Sequence, residues 1–383
     1  MLIYKKMENK KYTLNQSDGF SSLRGAQRQS NLQNVNEIAS PLARNDVKQI
    51  AVLLVNFGGP SGLSEVKPFL YNLFSDPVVL NFPFAFLYRK PLAWLISNMR
   101  DMTSREMYKK IGSVTPLIPV TLLQAGKLQT LIRRNELPID VYVGFRYCKP
   151  FIEDVLSDIC SKNYKKLIIL PLYPQYSYTT TGSVELVLND CLSRKQKEIS
   201  IPEVQLVKHW YKDEDYIQAY SSLISNSLEN LDLRSTEILF SAHSIPQFNI
   251  ENGDPYEKQI TETCELIIKK LNWKKKWHLA YQSKLGPVKW LEPSTGKVIE
   301  EIACKNKNTN ILVVPVSFVS EHVETIYEIG MLYKDIAKRC GIKRFARVPA
   351  LNMNKYLIQA LYNQVIGCLE NSQIDIKELI RTI

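Results

Sequence analysis

At 383 residues the chain has room for about two domains, and its 45% hydrophobic and 23% charged content is ordinary globular usage, which excludes collagen-like and disordered classes. Its seven cysteines (148, 160, 191, 264, 304, 340 and 368) include no CxxC pair, which speaks against Cys-clamped zinc, thioredoxin-like chemistry and a secreted disulfide scaffold. The net charge of +11 admits nucleic acid, an anionic membrane or an anionic substrate, but the short runs Lys274–Lys276, Arg194-Lys195 and Lys338-Arg339 accompany no nucleic-acid motif and read as solvated helix faces and loop ends.

Residues 1–48 are rich in Asn, Gln, Ser and Lys, with eight Lys or Arg against four acids, and read as a disordered or targeting leader. No apolar core of a secretory signal is present, and Glu8 and Asp18 dilute the basic character of an organellar presequence. From Gln49 onward, short apolar runs alternate with helical patterns. The first run, Ile50–Val55, leads into Asn56-Phe57-Gly58-Gly59-Pro60, whose spacing is neither GxGxxG nor a Walker loop and suits a tight turn under a ligand. Residues 77–97 are apolar but interrupted by Pro83, Arg89, Lys90 and Pro91, so they do not span a bilayer. Their Phe82, Phe84, Phe86, Leu87, Trp94 and Leu95 form either an exposed lip at a membrane interface or ordinary core.

The second run, Ile139–Val143, ends in Gly144-Phe145-Arg146-Tyr147 and precedes a helical pattern over 150–162. The third, Leu167–Leu172, ends in Tyr173-Pro174-Gln175-Tyr176-Ser177, after which Thr179–Ser183 opens a helix whose free N–H groups suit an anion, or simply cap it. Beyond a helical stretch over 213–231 come Glu237–Phe240 with Ser241-Ala242-His243-Ser244, Trp277–Tyr281 with Gln282-Ser283-Lys284, and Ile311–Val316 with the polar stretch 317–324. A helix over 355–369 follows. Runs apolar without alternation suit parallel strands covered on both faces, so the pattern predicts an α/β fold with parallel sheets. Ligands in such sheets bind beyond the carboxyl ends of the strands, and six strands gathering polar groups there predict a site.

Of the four histidines, His209 and His278 sit beside tryptophans and read as structural, whereas His243 and His322 follow β-runs at the presumed site end. An imidazole there can move protons or hold a metal. Glu321, Glu324 and Glu328 share one face of a helix read over 321–333. Preference of acids for helix N-termini explains Glu321 and Glu324 but not Glu328. A hard cation explains all three, and His322 beside them favours the metal reading.

Six ordered stretches, VNFGGP (55–60), GFRY (144–147), YPQYSYTTTGS (173–183), SAHSIPQFNIENGDPY (241–256), QSKLGPVKW (282–290) and PVSFVSEHVETIYE (315–328), make the chain resemble ferrochelatase, the family that inserts ferrous iron into a porphyrin. The resemblance spans about residues 50 to 355. It implies two Rossmann-like domains, each a parallel β-sheet flanked by helices, over 49–205 (with the lip at 77–97) and 206–350. The cleft lies between them, and 351–383 forms a C-terminal helix packing back on the first domain. By the same resemblance His243 and Glu324 are catalytic. His243, Glu324, Glu321, His322 and Glu328 handle metal, and Phe57, Arg100, Tyr108, Arg146, Tyr147, Tyr173, Ser177, Lys284 and Trp290 contact substrate.

The implied reaction joins protoporphyrin IX and Fe²⁺ to give protohaem and two protons, with iron a substrate and no cofactor expected. Tyr178 stands where some relatives carry a cysteine, so their iron–sulfur cluster is not expected. Phe57 replaces a frequent methionine, Tyr281 a frequent tryptophan, Glu321 a common aspartate, and Leu332 breaks the acidic row that some relatives continue. The resemblance further implies peripheral membrane contact, no nucleic-acid partner, a monomer or homodimer, and a mitochondrial, matrix-side location ahead of another organelle or the cytoplasm. Rival readings are a chelatase for coproporphyrin, a porphyrin or haem carrier without turnover, and a basic nucleic-acid binder.

Overall fold

The six apolar runs become strands in the computed structural model, which describes residues 50–80, 85–195, 201–284, 286 and 288–370. The leader, and Phe82 and Phe84 of the lip, lie outside these residues. Two more strands join the six, giving β1 (Ile50–Asn56), β2 (Ile139–Phe145), β3 (Lys166–Pro171), β4 (Glu203–Leu206), β5 (Thr236–His243), β6 (Trp277–Gln282), β7 (Asn310–Pro315) and β8 (Arg344–Arg347). They form two all-parallel sheets of identical pattern, ordered β2-β1-β3-β4 and β6-β5-β7-β8, within one compact unit. The two added strands are the far edges. Each has four residues paired on one side only and half exposed, so neither EVQL nor RFAR carries an apolar run.

Burial follows from the central position of β1 and β5. Every residue of β1 is buried between β2 and β3, and Leu53, Leu54 and Val55 are fully enclosed, each side chain contributing about 1.5–3 kcal/mol of transfer free energy. Helices cover both faces, among them Leu117–Arg134, Ile152–Cys160 and Ser183–Lys195 on the first sheet. The helix Glu214–Leu228 starts on Asp213, whose carboxylate accepts the N–H groups of Asp215 and Tyr216 as an N-cap. The last described helix, Lys355–Glu370, lies against Leu117–Arg134, Glu214–Leu228 and β3, and its Gln364 amide donates to Asp213 at 2.9 Å.

Parallel register sets the strand ends level. Asn56 pairs with Phe145 in the first sheet, while His243 pairs with Gln282 and Ser241 with Pro315 in the second. The residues that follow each strand therefore emerge on one rim of their sheet. The turn after β1 needs glycine at position 58, where φ is +86° and an added Cβ would lie 2.4 Å from the Cys148 sulfur. Burial pushes that thiol up to about 11, as suits a packing cysteine. The turn after β7 is held by Tyr220, whose hydroxyl lies 2.9, 3.1 and 3.0 Å from the carbonyls of Pro315, Val316 and Phe318. A buried tyrosine thus supplies the donor that an irregular segment needs.

The segment from Ala85 to Lys110 is a single helix with Pro91 inside it. Among the described residues no helix is long and apolar enough to cross a membrane. Of the lip side chains, Leu87, Trp94 and Leu95 are exposed, by 57%, 59% and 48%, rather than packed as core.

Candidate active site

His243 ends β5, and three bonds fix it. Its backbone N–H donates to the Ser317 hydroxyl at 2.9 Å, its carbonyl accepts the Tyr256 hydroxyl at 2.9 Å, and ring Nδ1 lies 3.1 Å from Glu324 Oε2. That leaves Nε2 without a hydrogen-bond partner among the described residues, on a side chain 37% exposed. Burial pushes the imidazole pKa down, but the charge and hydrogen bond of Glu324, with Glu328 behind it, outweigh burial and leave it above its ordinary value. Burial alone would likewise raise Glu324, yet His243 and His322 hold it well below the usual carboxylate range. The pair therefore keeps an ionised carboxylate against a readily protonated ring.

His322 completes this corner. Its Nε2 lies 3.2 Å from the same Glu324 oxygen, and its Nδ1 lies 3.2 Å from the Ser320 carbonyl. Carbonyl and carboxylate oxygens both accept, so the ring is set between two acceptors. The Phe318 ring packs between the two histidines, 4.3 Å from His322 and 6.2 Å from His243 between centroids.

The acidic row does not gather as one helical face. Glu324 opens a π-helix that runs to Tyr333, and Glu321 precedes it. Glu321 is buried and turned to Arg347 (2.7 Å), the Ala350 N–H (3.0 Å) and the Thr325 hydroxyl. Burial pushes its pKa up, and the Arg347 guanidinium overrides that and holds it low, so it behaves as a structural ion pair. Glu328 faces Ser283 and Tyr333, and burial together with the Glu324 charge pushes its pKa up. Among the described residues no group of three or more His, Cys, Asp and Glu side chains is arranged to hold a metal ion.

The rim of the first sheet contributes an aromatic cluster. Phe57, after β1, meets Tyr147, after β2, edge-on with centroids 4.6 Å apart. Both belong to one apolar cluster with Phe69, Leu70, Tyr108 and, from the π-helix, Ile326. Tyr108 is buried, and its hydroxyl pKa is raised first by burial and next by the Glu324 charge, which places it within electrostatic reach of that carboxylate. The cluster thereby joins the rims of the two sheets.

Asp76 is a site residue the sequence reading missed. Its carboxylate has no exposed surface, and Oδ2 accepts from Arg146 Nη2 (2.8 Å), the Tyr147 hydroxyl (2.8 Å) and the Ser183 hydroxyl (2.5 Å). Oδ1 accepts the Val78 N–H at 2.9 Å. The detectable signal was local: an aspartate directly follows the helix Val66–Ser75, where the negative end of the dipole disfavours an acid. Burial raises the Tyr173 hydroxyl pKa, and Arg146 works against it, so that ring belongs to the same corner.

The remaining expected contacts are more dispersed. Ser177 is buried, accepts the Thr179 N–H and donates to Asp254, acting as a cap. Lys284 pairs with Glu292. Arg100 is half-buried on the helix Ala85–Lys110, and the Trp290 backbone bridges Pro246.

Comparison with known proteins agrees on one family. The model of the ferrochelatase family matches residues 49–367. A ferrochelatase of Gloeothece citriformis is 42% identical over 335 residues, covering 87% of this chain and 86% of its own length. One of Trichodesmium erythraeum is 42% identical over 339 residues, covering 88% and 86%. Among solved structures, SirB from Bacillus subtilis with Fe³⁺ overlays at a TM-score of 0.49 and 11% identity, covering 86% of this chain and 99% of that one. At that score the overlay adds nothing to the fold, which rests on the strand order and register.

Proposed function

The chain belongs to the ferrochelatase family, and we propose that His243, beside the ionised Glu324, is the group at which iron is exchanged for protons. The enzyme inserts Fe²⁺ into protoporphyrin IX, releasing two protons and giving protohaem, a step of haem biosynthesis. The observation that carries the residue assignment is the free Nε2 of a ring whose other nitrogen meets Glu324 at 3.1 Å. The free-base macrocycle holds two N–H protons that leave as metal enters, so a base must face it. Imidazole and carboxylate can also replace water on the incoming ion. Phe57, backed by the buried Tyr108 and Tyr147, offers an apolar wall to the macrocycle, and Arg146 and Lys284 offer cations to its propionates.

Anaerobic incubation with Fe²⁺ and protoporphyrin IX tests the reading through the appearance of haem absorbance. Porphyrin binding without haem formation would favour a carrier, and faster turnover of coproporphyrin would favour the chelatase for that substrate. Iron enters this scheme as a substrate rather than a resident cofactor.

The helix Ala85–Lys110 presents Leu87, Tyr88, Trp94, Leu95, Met99 and Met102 to solvent, 48–80% exposed and at helical spacing. Such a stripe suits the interfacial zone of a bilayer, next to the site that receives a poorly soluble macrocycle. Replacing Trp94 and Met102 together by Glu is expected to weaken co-sedimentation with anionic vesicles about tenfold or more. Self-association without vesicles, relieved by the same change, would instead assign the stripe to a homodimer. The relatives are cyanobacterial, which supports a bacterial or plastid setting, and the mitochondrial placement expected from sequence finds no support among them.

A further inference from the structure

Ser283 directly follows β6 with φ at +66°, a left-handed conformation that residues with a Cβ adopt reluctantly. Glu328 holds it there from the π-helix. One carboxylate oxygen accepts the Ser283 N–H at 2.9 Å, and the other accepts its hydroxyl at 2.5 Å. The Tyr333 hydroxyl donates to the first oxygen at 2.8 Å. Both oxygens are therefore committed to the protein. Glu324, by contrast, meets imidazoles.

We propose that Glu328 is a positioning residue: it fixes Ser283 in its left-handed conformation and so sets the direction in which Lys284 leaves the strand, rather than passing metal along an acidic row. This deepens the ferrochelatase reading and rests on it, because Lys284 is there a substrate-side cation. The far side of Lys284 is also defined, since it pairs with Glu292, whose other oxygen accepts the Ser294 N–H at 2.9 Å. A carboxylate at position 328 carries an electrostatic penalty, because it faces the Glu324 charge from the next turn. Two donors from one strained serine account for its presence there.

The test separates the two substrates. Protoporphyrin IX binding is followed by fluorescence quenching without metal, and KM for porphyrin and for Fe²⁺ by anaerobic turnover. In Glu328→Gln the amide oxygen still accepts an N–H and the amide nitrogen donates to the serine hydroxyl, so porphyrin binding and both KM values are expected to stay within about threefold. In Glu328→Ala, metal-free porphyrin binding is expected to weaken about tenfold, with KM for Fe²⁺ within about twofold. Ser283→Ala removes a single donor and is expected to weaken porphyrin binding roughly threefold, which tests the anchor even if Glu328→Ala does not fold. Combining it with Glu328→Ala adds nothing further if the two act as one unit. The proposal is overturned if Glu328→Gln raises KM for Fe²⁺ as far as Glu328→Ala does while porphyrin binding is unchanged in both. A wild type that binds porphyrin yet forms no haem overturns the ferrochelatase reading instead, and the binding arm still decides the anchor.

Discussion

Alanine at position 243 is expected to lower anaerobic haem formation by about a thousandfold, within the range that a positioned general base or acid contributes. Porphyrin binding should stay within about threefold, because the macrocycle's apolar wall comes from the other sheet. The fold should survive. His243 is anchored through its backbone to Ser317 and Tyr256, and Glu324 keeps His322 at 3.2 Å when the first imidazole is gone. Turnover above about a tenth of wild type would remove His243 from the chemistry, since so small a loss is below any general-base contribution. The pH profile carries the same argument further. Burial lowers the His243 pKa and Glu324 raises it past the ordinary value, so the neutral base appears only as pH climbs through that raised pKa. Wild-type turnover should rise along that limb. In Glu324→Gln the charge is lost while burial persists, so the limb should move to lower pH even as the maximum rate falls. A limb that does not move would mean that another group sets it.

Much of this arrangement was legible because parallel sheets write their site in a simple way. A central strand is apolar throughout, and the first polar residues after it mark the rim, which is how His243, Arg146 and Lys284 could be read from runs such as EILFSAH and YVGFRY. Edge strands escape that rule because one side is open to solvent, hence the silence of Glu203–Leu206 and Arg344–Arg347. Glu321 departs from the acidic row for a geometric reason. A regular α-helix over 321–333 would stack Glu321, Glu324 and Glu328, but the helix begins later and winds as a π-helix with wider turns. Glu321, left outside, finds Arg347 on β8, and a strand invisible in the sequence could not announce the partner it carries. Phe318 and Tyr256 were likewise beyond reach, since a ring between two histidines and a hydroxyl on a carbonyl depend on tertiary placement alone.

Asp76→Ala is expected to destabilise the protein by about 3–5 kcal/mol, the range for breaking one side of a buried ion pair. Its carboxylate is wholly enclosed and gathers Arg146, Tyr147, Ser183 and the Val78 N–H, while the Arg146 side chain is only 15% exposed. Removing it leaves the mostly enclosed guanidinium and the Tyr147 hydroxyl with only the Ser183 hydroxyl between them, which lies 2.8 Å from Arg146 Nε. Urea denaturation monitored by circular dichroism measures the loss. A change below about 1 kcal/mol would mean that Arg146 is solvated after all. The double variant Asp76→Ala with Arg146→Met offers the sharper comparison. If the uncompensated cation is what hurts, deleting it as well should restore part of the stability that the single change removes. It should do so without restoring porphyrin affinity, because the cation proposed to meet a propionate is still missing. Oδ1 adds a mechanical consequence. By holding the Val78 N–H, Asp76 ties the start of the lip segment to Arg146. A lip resting on a membrane and a cation meeting a propionate would then be referred to the same buried carboxylate. Losing Asp76 should therefore weaken vesicle co-sedimentation together with porphyrin affinity, whereas Arg146→Met alone should weaken only the second.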